Sequence, residues 1–192
     1  MLKRYSEQEM LDYWKGRLGI SVSPAVAGYR DRTALDRKIL DEVDLWYEEM
    51  LQSAPFDKVP VSDMAEAVSC RRLTDNSVEI ALPEEAVRMV ALRMQDWDAD
   101  EVECYSQYSD TARLQRNRLT RATVDDPAVI SRPGVLEVHG LEPEEEGTAG
   151  DTALWHRPYV KKLQMVTRPA KGTYVLDPVL LRRSWKKPQS TS

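Results

Sequence analysis

Four closely spaced arginines are the residues of this chain whose type and spacing best suit the recognition of anions. They are Arg113, Arg116, Arg118 and Arg121, with Gln115 and Asn117 between them. A guanidinium group presents a planar fork of donors that fits either a phosphate or a carboxylate. Because the formal net charge of the chain is -5, we expect their partners to be carboxylates, either of a neighbouring subunit or in structural pairs, rather than nucleic acid phosphates.

An acidic stretch resembles the beginning of a calcium-binding EF-hand loop. Asp96, Asp98 and Asp100 stand at alternate positions, where their carboxylates would converge on one ion. The pattern then requires a glycine where this chain has Glu101, and a bidentate glutamate where it has Gln107. We therefore expect a solvated acidic turn and no metal.

The histidines and cysteines do not form a recognisable catalytic or metal-binding pattern. His139 and His156 lack a metal-ligand spacing, and Cys104 lacks a local signature that would place a histidine beside it to favour the thiolate. Cys70 and Cys104 do not form a C-x-x-C pair, so we expect reduced thiols. The sequence predicts a noncatalytic protein without metal or cofactor.

Charge is unevenly distributed in the last third of the chain. The stretch from Glu142 to Asp151 is acidic and predicts an exposed loop. Basic side chains then surround an aromatic in the run Arg182, Arg183, Ser184, Trp185, Lys186 and Lys187. This pattern is typical of nucleic acid contacts and docking peptides, and equally of a solvated helix end whose cations complement the helix dipole.

The N-terminal residues do not resemble a targeting segment. Lys3 and Arg4 are not followed by an apolar run, which argues against a secretory signal. No stretch of the sequence has the uninterrupted apolar length that a bilayer-spanning helix needs. We therefore expect no membrane association.

Two amphipathic helices are predicted in the first third of the chain. Ser6 and Glu9 form a capping box, and the helix that follows has Met10, Leu11, Trp14 and Leu18 on one face, with Gly16 and Gly19 ending it. Residues 20–32 are expected to form a loop or arm. A long helix should start at Thr33 and end before Pro55, burying Leu35, Ile39, Val43, Trp46 and Met50. Leu45 falls on its polar side and would be exposed in a monomer.

The middle of the chain predicts a strand followed by a helix. Residues 77–82 alternate as a strand does, and Pro83 with Glu84 and Glu85 suits a helix start. The helix would run to Trp97, with Met89 and Leu92 lying away from its main apolar stripe. We therefore expect Met89 and Leu92 to contact a neighbour.

Shorter elements are predicted elsewhere. The expected strands are 61–68 (weak), 101–105, 127–131, 135–139, 155–160, 163–167 and 174–176. Residues 178–185 should form a short helix, and residues 109–116 a short helix or turn. Residues 132–134 suit a turn that pairs the strands on either side of it.

These elements predict an α+β fold, in which a small mixed or antiparallel sheet packs with a long amphipathic helix and shorter helices, with extended terminal arms. The expected division is an N-terminal helix and arm (1–32), an adaptor core (33–176) with an exposed acidic loop (141–152), and a C-terminal basic helix and tail (177–192).

Two short motifs in the middle third resemble a known family. The first is Leu82-Pro83-Glu84-Glu85 followed by an apolar stretch ending at Trp97, and the second is Gln115-Arg116-Asn117-Arg118-Leu119-Thr120-Arg121 before a segment that begins with Pro127. The pair resembles the ring or head-tail connector proteins in the necks of crAss-like and related Bacteroidetes phages and prophages. Residues 98–101 are acidic, whereas members of that family usually carry basic residues and proline there.

The resemblance implies a noncatalytic neck adaptor of the virion. Such a subunit would form a homo-oligomeric ring that contacts the portal and other neck or tail proteins around a DNA channel, and would reside in the host cytoplasm during assembly. Our predicted interface residues are Trp14, Leu45, Met89, Leu92, Arg116, Arg118, Arg121, Arg182, Arg183 and Trp185. The alternative is a nucleic-acid-binding accessory protein that uses residues 113–121 and the basic C-terminus.

Overall fold

The computed structural model of the chain describes residues 1–20, 29–142 and 159–183, with side chains from 33 onward in the second range and up to 182 in the third. The fold is mixed α+β with small antiparallel and mixed sheets, which confirms the predicted class. The chain divides into two compact units: unit 1 comprises residues 1–60 and 167–192, and unit 2 comprises residues 61–166.

Unit 1 combines a two-stranded antiparallel sheet with helices. Its strands are β1 (Lys3–Ser6) and β10 (Thr173–Leu176), and its helices are α1 (Glu7–Leu18), α2 (Tyr29–Ser53) and α4 (Pro178–Arg183). The predicted capping box is confirmed, since the Ser6 side chain accepts from the Glu9 N–H while the Glu9 side chain accepts from the Ser6 N–H. Gly19, at φ 67°, ends α1 in the left-handed conformation that glycine adopts without strain.

Aromatic side chains join the parts of unit 1. Trp14 on α1 meets Trp46 on α2 edge to face, with ring centroids 5.7 Å apart. Tyr47 and Tyr174 form a second such pair at 5.2 Å, and the Tyr47 hydroxyl donates to the Val175 carbonyl at 3.0 Å. Burial raises the pKa of Tyr47 to about 12. These contacts pack the long helix against the β1–β10 sheet.

The N-terminal ammonium and Lys58 converge on one buried carboxylate of unit 1. Asp177 is 5% exposed and accepts from the Val179 N–H at 2.9 Å, the Met1 ammonium at 3.0 Å and the Lys58 ammonium at 3.4 Å. These donors, led by the Val179 N–H, lower the Asp177 pKa from 3.8 to about 2.

The stability of unit 1 is therefore expected to depend on pH through Asp177. Since the folded-state pKa lies below the unfolded-state value, this contribution is full above pH 3.8 and disappears as pH falls to about 2. Thermal unfolding should show this acid loss in the wild type and a smaller loss in Asp177→Asn. An equally steep loss in both proteins would show that Asp177 is not the group responsible.

Unit 2 consists mainly of strands arranged in two sheets. Its elements are β2 (Val61–Asp63), β3 (Ser69–Thr74), β4 (Ser77–Ala81), β5 (Ala86–Met94), β6 (Tyr105–Ser106), α3 (Asp110–Leu114), β7 (Ala128–Arg132), β8 (Val135–His139) and β9 (Val160–Thr167). One sheet has the order β2-β9-β5 and the other β3-β4-β8-β7-β6, with β6 parallel to β7. The β7–β8 hairpin confirms the turn predicted at residues 132–134, where Gly134 has φ 73°.

The core of unit 2 is one apolar cluster to which strands of both sheets contribute residues. Its buried members are Met64, Val78, Ile80, Met89, Leu92, Met94, Trp97, Val129, Leu136, Val138, Leu141, Val160, Leu163 and Met165. No helix among the described residues is both long and apolar enough to cross a bilayer.

The predicted helix from Pro83 to Trp97 is wrong, because this stretch forms β5. Its first residues make a turn instead of a helix start, in which the Ala86 N–H donates to the Pro83 carbonyl at 3.0 Å. Met89, Ala91, Leu92 and Met94 are all buried. A strand covered on both faces loses its period-two alternation, and its apolar run then resembles one helix face.

Several boundaries also differ from the predicted ones. Thr33 lies inside α2, which begins at Tyr29, and Gly16 lies inside α1. The weak strand predicted at 61–68 is limited to β2, and the strand predicted at 101–105 is reduced to one bridge between Leu92 and Glu101 before β6.

The boundaries of the two compact units differ from the predicted domain boundaries at residues 32 and 176. A boundary at 32 would cut α2, and β10 pairs with β1 at the opposite end of the chain. Most of the predicted acidic loop and the tail beyond residue 183 fall in stretches that the structure does not describe.

Candidate functional site

The stretch from Val102 to Arg121 in unit 2, here called the arginine segment, exposes several large apolar side chains. The exposed fractions are 65% for Val102, 80% for Tyr108, 48% for Leu114 and 93% for Leu119. Single exposed apolar residues are ordinary on protein surfaces. Several of them on one short stretch make it the candidate interaction surface of the described residues.

The arginines of this segment differ in availability. Arg116 and Arg118 are exposed and form no ion pair with any described residue, and Arg113 pairs only with the largely exposed Asp110 of its own helix at 3.1 Å. Arg121 instead donates to both carboxylate oxygens of Asp75 at 3.0 Å, and this lowers the Asp75 pKa. Arg121 therefore holds the segment in place, while the other three face solvent.

Short hydrogen bonds order the segment internally. The Ser109 hydroxyl caps α3 by accepting from the Ala112 N–H at 3.2 Å. The Gln115 amide oxygen accepts from the Ala122 N–H at 2.8 Å, and the Asn117 oxygen accepts from the Leu119 N–H at 3.0 Å. Because these contacts fix the turns around α3, the exposed leucines are presented on a preformed surface.

A buried polar cluster anchors both ends of the segment. We call Asn76, Trp97, Ala122 and Gly140 the anchor cluster. The Trp97 indole N–H donates to the Gly140 carbonyl at 2.7 Å, just before the segment begins. The Asn76 amide donates to the Ala122 carbonyl at 3.3 Å, just after it ends, and the Gly140 N–H donates to the Asn76 backbone carbonyl at 3.1 Å.

The first of the two motifs that carry the sequence resemblance borders an open groove, whereas no residue of the second motif, 115–121, lines it. Its volume is about 420 Å³, and its lining includes Pro83 and Val87 from the first motif region, Gln107 from the arginine segment, and Pro133 from the β7–β8 turn. The fold thus brings the turn at Pro83 beside the arginine segment on unit 2.

The remaining predicted interface residues have different environments. Leu45 is 65% exposed on α2, as expected, and Trp14 is half-buried against Trp46. Met89 and Leu92 are 6% and 0% exposed. They were expected on the surface of a helix, but β5 places them in the core, so they offer no surface to a neighbour.

The basic C-terminal residues are described only in part. Arg182 is exposed, and its backbone carbonyl accepts from the Arg17 side chain at 3.4 Å. The structure does not describe the Arg183 side chain, Trp185 or His156.

One carboxylate of the acidic stretch that resembled a calcium loop is paired with cations of the chain itself. Asp100 accepts from Lys162 at 2.6 Å and from Arg93 at 2.7 Å, and these contacts lower its pKa. Within the described ranges, no three His, Cys, Asp or Glu side chains are grouped so as to hold a metal ion.

His139 and Cys104 have environments that disfavour their charged forms. His139 lies 2.9 Å from the Glu137 carboxylate, yet burial dominates and lowers its pKa. Cys104 is exposed as a residue, but partial desolvation of its thiol and then Glu101 raise the thiol pKa. A neutral thiol is a weak nucleophile.

No known family model, curated protein or solved structure matches this chain. The functional argument therefore rests on its own residues. Sequence reasoning found the arginines and the exposed Leu45 but missed the anchor cluster, for which the only local signal was the Asp75-Asn76 turn pair between strands.

Proposed function

We propose that the chain is a noncatalytic structural subunit that assembles with further copies of itself into a ring at the head-tail junction of a phage. The observation that carries this proposal is the arginine segment, whose exposed Tyr108, Leu114 and Leu119 stand among solvent-facing arginines. A preformed apolar surface with a charged border has the composition of a protein interface.

The resemblance to phage neck proteins supplies the setting. Its first motif lines the groove at Pro83, as a turn and a strand instead of a helix, and its second motif lies within the arginine segment. In that setting the ring would contact the portal and tail components, and DNA would pass through its lumen. Localisation in the virion neck belongs to the same proposal.

Nucleic acid binding through the same arginines is the second candidate function, and the exposure of Arg113, Arg116 and Arg118 favours it. The neighbouring leucines argue for a protein partner. Phosphates are bound by polar donors and bases stack on aromatic rings, so exposed aliphatic side chains contribute to neither contact. The net charge of -5 also opposes phosphate binding by the molecule as a whole.

The test is the mass of the full-length protein in solution, measured by light scattering alone and after addition of the portal protein encoded in the same genome. We expect a closed oligomer of the chain, either alone or on the portal. A protein that stays monomeric at high concentration and does not associate with the portal would refute the proposal.

A further inference from the structure

The outer face of α2 in unit 1 carries an apolar residue surrounded by carboxylates. Leu45, at 65% exposure, has Asp41 and Glu42 one turn before it and Glu48 and Glu49 one turn after it. Residues three and four positions apart lie side by side on a helix, so these four carboxylates border Leu45. We call this surface the acidic face.

Most of the acidic face is free to bind a cationic partner. Glu48 pairs with Arg168. Asp41, Glu42 and Glu49 are exposed and form no ion pair with any residue that the structure describes. No ion pair among the described residues accounts for the grouping of these three carboxylates around an exposed leucine.

The acidic face and the arginine segment have opposite charge and the same apolar character. One presents Leu45 among carboxylates, and the other presents Leu114 and Leu119 among Arg113, Arg116 and Arg118. We propose that the acidic face of one copy binds the arginine segment of the next copy. This inference rests on the proposed ring function and names the two surfaces that close the ring.

The charges also exclude the pairing of like surfaces. Pairing of two acidic faces, or of two arginine segments, would place like charges opposite each other, and such a juxtaposition is strongly unfavourable. A two-fold dimer through either surface is therefore disfavoured. A contact between two different surfaces that is made once at each interface is heterologous, and repeated copies of it produce a ring when the rotation closes, whereas a reciprocal pair of such contacts would close as a dimer of distinct mass.

Charge reversal on each surface provides the test. The first variant combines Arg116→Glu with Arg118→Glu, and the second combines Glu42→Arg with Glu49→Arg. All four side chains are exposed, so both variants should fold. Lys161→Glu with Lys171→Glu, at two other exposed positions, has the same charge change as the first variant and serves as its control.

Each reversal variant alone is expected to weaken self-association at least about tenfold in Kd, whereas the control keeps wild-type association. An equimolar mixture of the two should regain Kd to within about threefold of the wild type, because each reversed surface then finds an opposite charge on the other variant. Sedimentation velocity of the full-length proteins measures the Kd of each variant, of the control and of the mixture. Portal is added to every sample if the wild type needs it to assemble.

Four results would overturn the inference. If both variants assemble as the wild type does, the ring exists but uses other surfaces, and the proposed function survives. If each variant fails and the mixture also fails, the two surfaces do not meet each other. If Arg116→Glu with Arg118→Glu instead abolishes binding to a DNA duplex and leaves self-association unchanged, the segment is a nucleic acid site. A wild type that never assembles removes both the function and this inference.

Discussion

Gly140→Ala is expected to unfold unit 2 or to lower its free energy of unfolding by roughly 4 kcal/mol or more, which is exceptional for one methyl group. Gly140 has φ 93°, where an L side chain is strained. A Cβ atom there would lie 2.3 Å from the Thr123 carbonyl oxygen and 2.9 Å from the Pro127 Cα. Both are backbone atoms, so no side-chain rotation relieves the clash.

Gly134→Ala is the matched control for this substitution. Gly134 also has a positive φ, of 73°, but a Cβ atom there meets nothing within 4 Å. Its cost should be limited to the backbone strain of about 1–2 kcal/mol. Urea denaturation followed by circular dichroism measures both variants, and equal losses would contradict the close approach of residues 123–127 to Gly140.

Trp97→Ala is expected to cost about 3–5 kcal/mol, the usual range for truncating a buried large aromatic. Trp97 is 3% exposed within the apolar core, and its indole N–H donates to the Gly140 carbonyl at 2.7 Å. The substitution removes both the packing and the donor at the point where the arginine segment starts. We therefore expect faster amide exchange in residues 98–121 as well as lower stability.

Trp97→Phe separates these two contributions. Phenylalanine keeps most of the apolar volume but leaves the Gly140 carbonyl without its donor, which should cost about 1–3 kcal/mol. The same denaturation experiment gives the comparison. A Trp97→Ala variant as stable as Trp97→Phe would show that packing of the indole contributes little.

Local signals in the sequence identified several elements correctly. The capping box of Ser6 and Glu9 acts within four residues, and the β7–β8 hairpin is specified by the turn that contains Gly134. Such elements depend on contacts between near neighbours, so their residues suffice to predict them.

The β5 strand and the anchor cluster could not be predicted in the same way. A helical pattern has one buried face, so Met89 and Leu92, which lie off that face, became interface candidates. In β5 they are buried from two opposite sides of the strand, and a helical period does not describe such burial. Arg121 was expected at an interface, yet it binds Asp75, which is 46 residues away along the chain. The partner of a charged side chain depends on tertiary structure, and no spacing rule specifies it.

The candidate surface was predicted in part. Arg116, Arg118 and Leu45 are exposed as expected. The exposed Leu114 and Leu119 were not singled out, since single leucines in a polar stretch are common. Their exposure depends on the turns held by Gln115 and Asn117.

The most direct measurement is hydrogen–deuterium exchange of the full-length protein, compared between the dissociated and assembled states at matched pH and temperature. The account predicts that amides of residues 102–121 exchange more slowly once the protein assembles, because the next subunit covers Leu114 and Leu119. Assembly with unchanged exchange across this segment would contradict the claim that it is the contact surface.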